Sequence, residues 1–557
     1  MKKVFGLLLA FLLLAAACGP AATPVPQATA VPTAKPMETE AQPAATAVAQ
    51  PAATHALEPT TAPAEKPTEP PPQPTAAPEP KRLTLADWAW IVAGWAVETG
   101  DGNCMTRWGI LETLIKVDFD GNMQPNLATA WVQVDETSWE LTLREGVTFQ
   151  NGEPFNAQAV VNALTYLLGV DTPPKGFGPN NIASVEAKGD YAVVIKTTAP
   201  DTLLPNRLVA PPTGILAPSA YKGDGTIDPF GTGTGPFALM DVVPDQSLTL
   251  VKNENYWGGK VNLDKVTVLH IPDGDMRSTM LQTGEVDLAR SLPIAQIPIL
   301  ENDPNVVMVR SYQPRTLTLY LNNTQGPLSD VRLRRAVQHA INKQAIADAV
   351  FEGGAIPAAG PFESTAAWFN PDLSADTYDL EQAIQLLADA GYEKGELKLR
   401  LWSYPLRSEL PPATIAIQAM LNKAGIEAEV RIGNYDALLA EVKAGEFDMF
   451  LLSRGHLLDV FDASGFFGSD YGCTGSFNLG GFCNEQVEAL SAGASTMTDV
   501  AARFEIYRQI QGILSDEVAS VFLVHPMEPE GYRTNVLNYR THLMVHYVLT
   551  PDLDVAQ

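Results

Sequence analysis

Residues 398–461 constrain the fold more than any other stretch of this 557-residue chain. Three short apolar runs, 398–402, 427–432 and 447–453, have the composition of strands, and the two segments between them repeat apolar residues at helical spacing. The first intervening helix is predicted to begin at Pro411 and Pro412, whose fixed φ suits a helix start. It should stop at Gly425, which takes the left-handed conformation of a C-terminal cap at little cost. The order is β-α-β-α-β. Right-handed crossovers lay such strands parallel, and parallel sheets bind ligands in the crevice beyond the carboxyl ends of their strands. Two charges of opposite sign lie just past those ends, Arg407 after the first strand and Asp459 after the third. A zwitterion held by both termini needs such a pair. The plainer readings are an exposed loop charge for Arg407 and a helix cap or loop carboxylate for Asp459.

A chain of this length outgrows one hydrophobic core, so two or three domains are predicted, and a 46% hydrophobic content with nine tryptophans is ample for them. With 37 basic against 64 acidic residues, net −27, the folded part is a poor partner for nucleic acid or anionic lipid. A solvated acidic surface accounts for that balance. The N-terminus is more specific. Lys2 and Lys3 precede an apolar run over 4–14, too short to span a bilayer, and Ala15, Ala16 and Ala17 lead into Cys18 and Gly19. This order resembles a bacterial lipobox, with Ala15 where leucine is usual. Residues 1–17 are read as a signal peptide and Cys18 as the lipidated residue; cleavage as an ordinary secreted protein is the alternative. Over 18–81, Ala, Pro and Thr dominate, and almost no large apolar side chain is present to offset the entropy of ordering. An extended, lipid-anchored tether is expected there.

Cys473 and Cys483 lie in the Gly-rich run YGCTGSFNLGGFC and could close a small disulfide loop in an oxidising compartment; Cys104 is left over. A zinc site at that pair lacks two further ligands nearby. Strands are predicted over 138–143, 191–197 and 248–252, and a helix over 156–168 with Asn156 as its cap. The GTGTGP run over 231–236 has no Walker lysine and no helical pattern after it, so it reads as a tight turn. A helix is expected over 330–350, burying Val331, Leu333, Val337, Ala340, Ile341 and Ile346.

Eight segments in order carry a family resemblance: LETLIKVDFDGNMQPNLATAW, SWELTLREGVTFQNGEPFNAQAVVNAL, GTGPFAL, NENYWGGKVNLDKV, GEVDLA, LNNTQGPLSDVRLRRAVQHAINKQAI, YDLEQAIQLLADAGY and the Asp459 region. The chain resembles the family 5 extracellular solute-binding proteins of ABC transporters, the receptors for peptides and nickel. The resemblance implies an α/β, two-lobed periplasmic-binding-protein-like fold of the class II, or cluster C, type, with mixed sheets and a hinge. It implies a discontinuous first lobe over 82–312 plus 523–557 and a second lobe over 313–522, with hinge crossovers near 316–321 and 521–525. It further implies a monomer working with permease and ATPase subunits at the extracytoplasmic face of a bacterial membrane, with no cofactor.

In dipeptide receptors of this family, an aspartate in a Gly-Trp-x-x-Asp-x-x-Asp-Pro segment holds the ligand's ammonium. Here the segment runs Gly455, His456, Leu457, Leu458, Asp459, Val460, Phe461, Asp462, Ala463, so Asp459 takes that place. An arginine after a Leu-Trp strand holds the carboxylate; Leu401 and Trp402 followed by Arg407 match it, with a loop one residue shorter. His456 stands where the family has Trp, and Ala463 where it has Pro. The pocket wall therefore departs from the dipeptide pattern, and His456 is either a hydrogen-bonded wall residue or a contact for a nickel complex. The candidate ligand-binding residues are Asp459, Arg407, His456, Gly455 and Trp402, with a short peptide or amino-acid-like solute preferred over a nickel chelate or oligosaccharide. An enzyme is the rival class, and the sequence offers no GxSxG elbow, no HExxH pair and no clustered His and Cys ligands to point to one. A sensory or adhesive lipoprotein is the remaining alternative class.

Overall fold

The computed structural model describes residues 79–407, 409–457 and 460–556. The signal segment, Cys18, nearly all of the expected tether, and Asp459 lie outside the described residues. Ala77–Gln557 is one compact unit, and a twelve-stranded mixed sheet runs through it. In spatial order its strands are Glu427–Ile432, Lys398–Ser403, Met449–Gly455, Arg315–Leu321, Ser520–Arg533, Leu288–Ala289, Arg82–Asp87, Lys265–His270, Ser247–Lys252 and Phe237–Val243; Val306–Tyr312 and Ala355–Pro357 also pair with the fifth of these.

The fifteen residues from Leu410 to Ala424 form the first crossover helix, with prolines in its first turn and Gly425 capping it at φ 98°. Asn434 caps the second, Tyr435–Lys443, by accepting from the Ala437 amide. The three strands they connect are parallel, as the sequence pattern requires. The third begins and ends two residues later than its apolar run suggests, so Gly455 is its last residue.

Ser520–Arg533, fourteen residues long, joins the two halves. Its first part pairs with Arg315–Leu321 and its last part with Val306–Tyr312. One set of cores takes its side chains from 83–306 and 536–555, the other from 317–524. The chain therefore passes between them at 312–315 and at 524–527. Residues 316–321, expected near a hinge, are strand, with 317–320 paired on both edges; just before them Pro314 lacks the N–H a ladder needs.

The helix expected over 330–350 is two helices, Val331–Ala340 and Lys343–Ala349, because Ile341 is extended and Asn342 turns its side chain back to cap the Ala345 amide. All its expected core residues are buried except Val331, which is partly exposed. The helix Ala157–Gly169 is capped by Asn156. In the 231–236 run, a side chain at Gly233 or Gly235 would strike the carbonyl of Ile110 or Gly109, so the run is a turn packed backbone to backbone. Lys81, assigned to the tether, is tied down: its amide donates to Asp264 at 2.8 Å and its Nζ to Asp554 at 2.7 Å. Cys473 and Cys483 are joined by a disulfide. Cys104 is a buried thiol, pushed up to about 11 by burial.

Candidate functional site

The carboxyl ends of the parallel strands meet the passage between the two halves. Gly455 stands opposite Arg315 in the ladder, and the His456 amide donates to the Pro314 carbonyl at 3.0 Å. The His456 ring is buried with its edge to Phe362, centroids 4.8 Å apart, and Nε2 lies 3.4 Å from Glu363 Oε2. The other Glu363 oxygen accepts from the Arg315 amide at 3.1 Å and lies 3.8 Å from Nδ1 of His525 on the long strand. Thr316 Oγ donates to the Pro361 carbonyl at 2.7 Å and sits 3.0 Å from the same His525 nitrogen. One carboxylate thus touches both chain passages and His456, the residue that follows the third parallel strand. Burial opposes ionisation of Glu363, and the imidazoles of His456 and His525 outweigh it and hold it below the usual carboxylate range. Burial drives His525 down to about 4, so it is neutral near pH 7.

Arg407 follows the first parallel strand, three-quarters covered, with Nη1 3.3 Å from Glu409 Oε1. Arg315 donates from Nη1 to the Ser453 carbonyl at 2.8 Å. Burial, then the like charge of Arg407, push the Arg315 guanidinium down to about 10, against the pull of Glu528 and Glu409. Glu528, on the long strand, accepts from Ser291 Oγ, which itself accepts from Trp88 Nε1 at 2.8 Å. Burial works against the Glu528 charge, while Arg290, Ser291, Arg407 and Arg315 together hold its carboxyl low. Arg315, Arg407, Glu409 and Glu528 therefore lie within one another's fields at this passage.

The structure brings Gly455 and His456 to this cluster, and Arg407 joins it through Arg315 and Glu528. Trp402 is placed elsewhere. It pairs with Arg431 on the neighbouring strand and lies under that guanidinium at 4.8 Å, with Arg400 at 5.8 Å. Strand alternation puts Trp402 on the face of Arg400, which Asp448 holds. Arg315, Glu363, His525 and Glu528 were not singled out from sequence. Pro314 before Arg315 is the nearest thing to a signal; Glu363 has none, since its role depends on strands 48 and 162 residues away in the chain.

The family model for bacterial extracellular solute-binding proteins, family 5 (middle part), matches residues 122–478. The chain belongs to that family. It is 28% identical over 438 residues to the nickel-binding protein NikA of Staphylococcus aureus, covering 78% of this chain and 86% of the relative. To the dipeptide-binding protein of Escherichia coli it is 27% identical over 447 residues, 74% of this chain and 83% of the relative. The crystal structure of S. aureus NikA in complex with Ni(L-His)2 superposes with a TM-score of 0.73 at 26% identity, covering 86% of this chain and all of that one. This family 5 receptor therefore has the two-lobed α/β fold of its relatives, and it is the substrate-binding component of an ABC importer.

Proposed function

We propose that the receptor captures a short peptide or amino-acid-like solute between lobes formed by 82–312 plus 523–557 and by 313–522, and delivers it to a membrane permease. The supporting observation is the pair of guanidinium groups, Arg407 and Arg315, at the passage between the two cores. An arginine is planar and presents a fork that matches a carboxylate, and each such hydrogen bond is charge-assisted. Closure around a solute excludes water and strengthens both contacts. Asp459 is assigned to the solute's ammonium and Gly455 and His456 to the wall. Lipidation at Cys18, with 18–81 as the tether, keeps the receptor at the extracytoplasmic face of the membrane as a monomer, and it is a binding protein rather than an enzyme.

A second reading is a nickel chelate built from amino acids, favoured by the buried His456, whose Nδ1 has no hydrogen-bond partner among the described residues. Among those residues no group of three or more His, Cys, Asp or Glu is arranged to hold a metal, so nickel would arrive inside its own chelate and present carboxylates to the same arginines. Native mass spectrometry of the receptor purified without denaturation tests both. A retained mass that fragments as a peptide or amino acid supports the first, and a nickel isotope pattern the second. A retained oligosaccharide overturns both.

A further inference from the structure

Arg315 opens its strand at the point where the chain passes between the halves, and its donors are unequally used. The backbone amide is taken by Glu363 and Nη1 by the Ser453 carbonyl. The Nε–H is buried and has no hydrogen-bond partner among the described residues. The carboxylates whose fields reach it are engaged elsewhere, Glu409 by Arg407 and Glu528 by Ser291. A second guanidinium, Arg407, adds like charge to a poorly solvated position. A buried donor left unmade and two neighbouring cations are each costly, and one anion between them relieves both.

We propose that Arg315 is a solute-binding residue that shares one carboxylate of the solute with Arg407, its Nε–H being the donor reserved for that group. This rests on the carboxylate-bearing solute argued above and names a determinant of its specificity. A hydroxyl or ether oxygen carries no charge to offset two guanidinium groups, so the cradle discriminates against neutral sugars and against peptides whose terminus is an amide. Arg315→Lys keeps a positive charge and lacks the Nε–H fork, so it loses the directed, shared contact and retains only the undirected part of the attraction.

Two measurements on the full chain separate this from the solute reading. The first follows arginine Nε–H signals by nuclear magnetic resonance in protein labelled at arginine, with Arg315 and Arg407 assigned from Arg315→Lys and Arg407→Lys spectra. Acetate should shift both signals saturably and acetamide neither. The second titrates the dipeptide Ala-Leu and its C-terminal amide into wild type and Arg315→Lys. Wild type should prefer the free acid by about tenfold or more, and Arg315→Lys should lose most of that preference while binding the amide as before. A response to acetate at both arginines with no binding of Ala-Leu leaves the cradle standing and removes the short-peptide reading. Acetate moving the Arg407 signal alone, or neither signal, overturns the cradle and leaves Arg315 as a clip on the Ser453 carbonyl.

Discussion

Two arginines, one after the strand Leu288–Ala289 and one opening Arg315–Leu321, are engaged in opposite ways. Arg290, beside the strand Arg82–Asp87, meets both Asp87 oxygens at 3.0 and 2.9 Å and Glu530 at 2.9 Å. Glu530 is completed by the Tyr539 hydroxyl at 2.6 Å and Thr541 at 2.8 Å. Burial opposes the Arg290 charge, yet Asp87 and Glu530 prevail and raise it. Arg315, across the long strand, has a neighbouring arginine, one carbonyl and an unused Nε–H, and is pushed down. Burial alone does not distinguish a structural arginine from one prepared for a guest. We assign the difference to how many of its donors are used and to the charge of its neighbours.

The largest expected effect breaks the closed side of this comparison. Arg290→Met strands two carboxylates in a dry site, and removing one partner of a buried charged network costs about 3–5 kcal/mol. Chemical denaturation should show that loss, and a change under 1 kcal/mol would mean that water enters and hydrates Asp87. On the open side the effect should move from stability to affinity. Arg407→Ala removes a charge-assisted contact of about 2–3 kcal/mol, roughly one to two orders of magnitude in Kd. Calorimetry with Ala-Leu reads it directly; unchanged affinity would return Arg407 to the role of partner for Glu409.

The contrast also marks how far the sequence could be read. Local signals were legible: the Asn156 and Gly425 caps and the parallel β-α-β-α-β order each follow from a few adjacent residues. The place of Arg407 past a strand end was legible because that strand is recognisable in the sequence. Arg315, Glu363 and Glu528 were not, because each acquires meaning from partners on strands distant in the chain, and a half-polar strand looks the same whether its arginine is saturated or open. Trp402 shows the converse limit: proximity in sequence to a strand end does not say which face the side chain takes.

His525 lies between the two arginines in kind, a buried base with Thr316, Glu363, His456 and Lys343 around it. It accepts a proton at about 4 in the fold against 6.5 for an ordinary histidine. Above pH 6.5 neither folded nor unfolded chain protonates it, and its contribution is fully present. As pH falls from 6.5 toward 4, the unfolded chain takes up a proton that the folded one refuses, so stability is lost, about 3 kcal/mol in all. Denaturation midpoints across that window should fall less steeply for His525→Gln than for wild type. Parallel curves would place the acid sensitivity in other groups, the buried His542 first among them.

The smallest expected effect is the most discriminating. Arg315→Met should leave the stability of the solute-free protein within about 1 kcal/mol of wild type, or raise it, because a half-buried charge with an unpartnered Nε–H gives way to an apolar side chain of similar volume. The lost bond to the Ser453 carbonyl works the other way and is a single hydrogen bond of about 1 kcal/mol. Placed beside Arg290→Met under the same denaturant series, the two variants ask one question of two arginines. A loss at Arg315 as large as that at Arg290 would show that its donors are satisfied in solution, and the distinction between a closed and an open arginine would collapse.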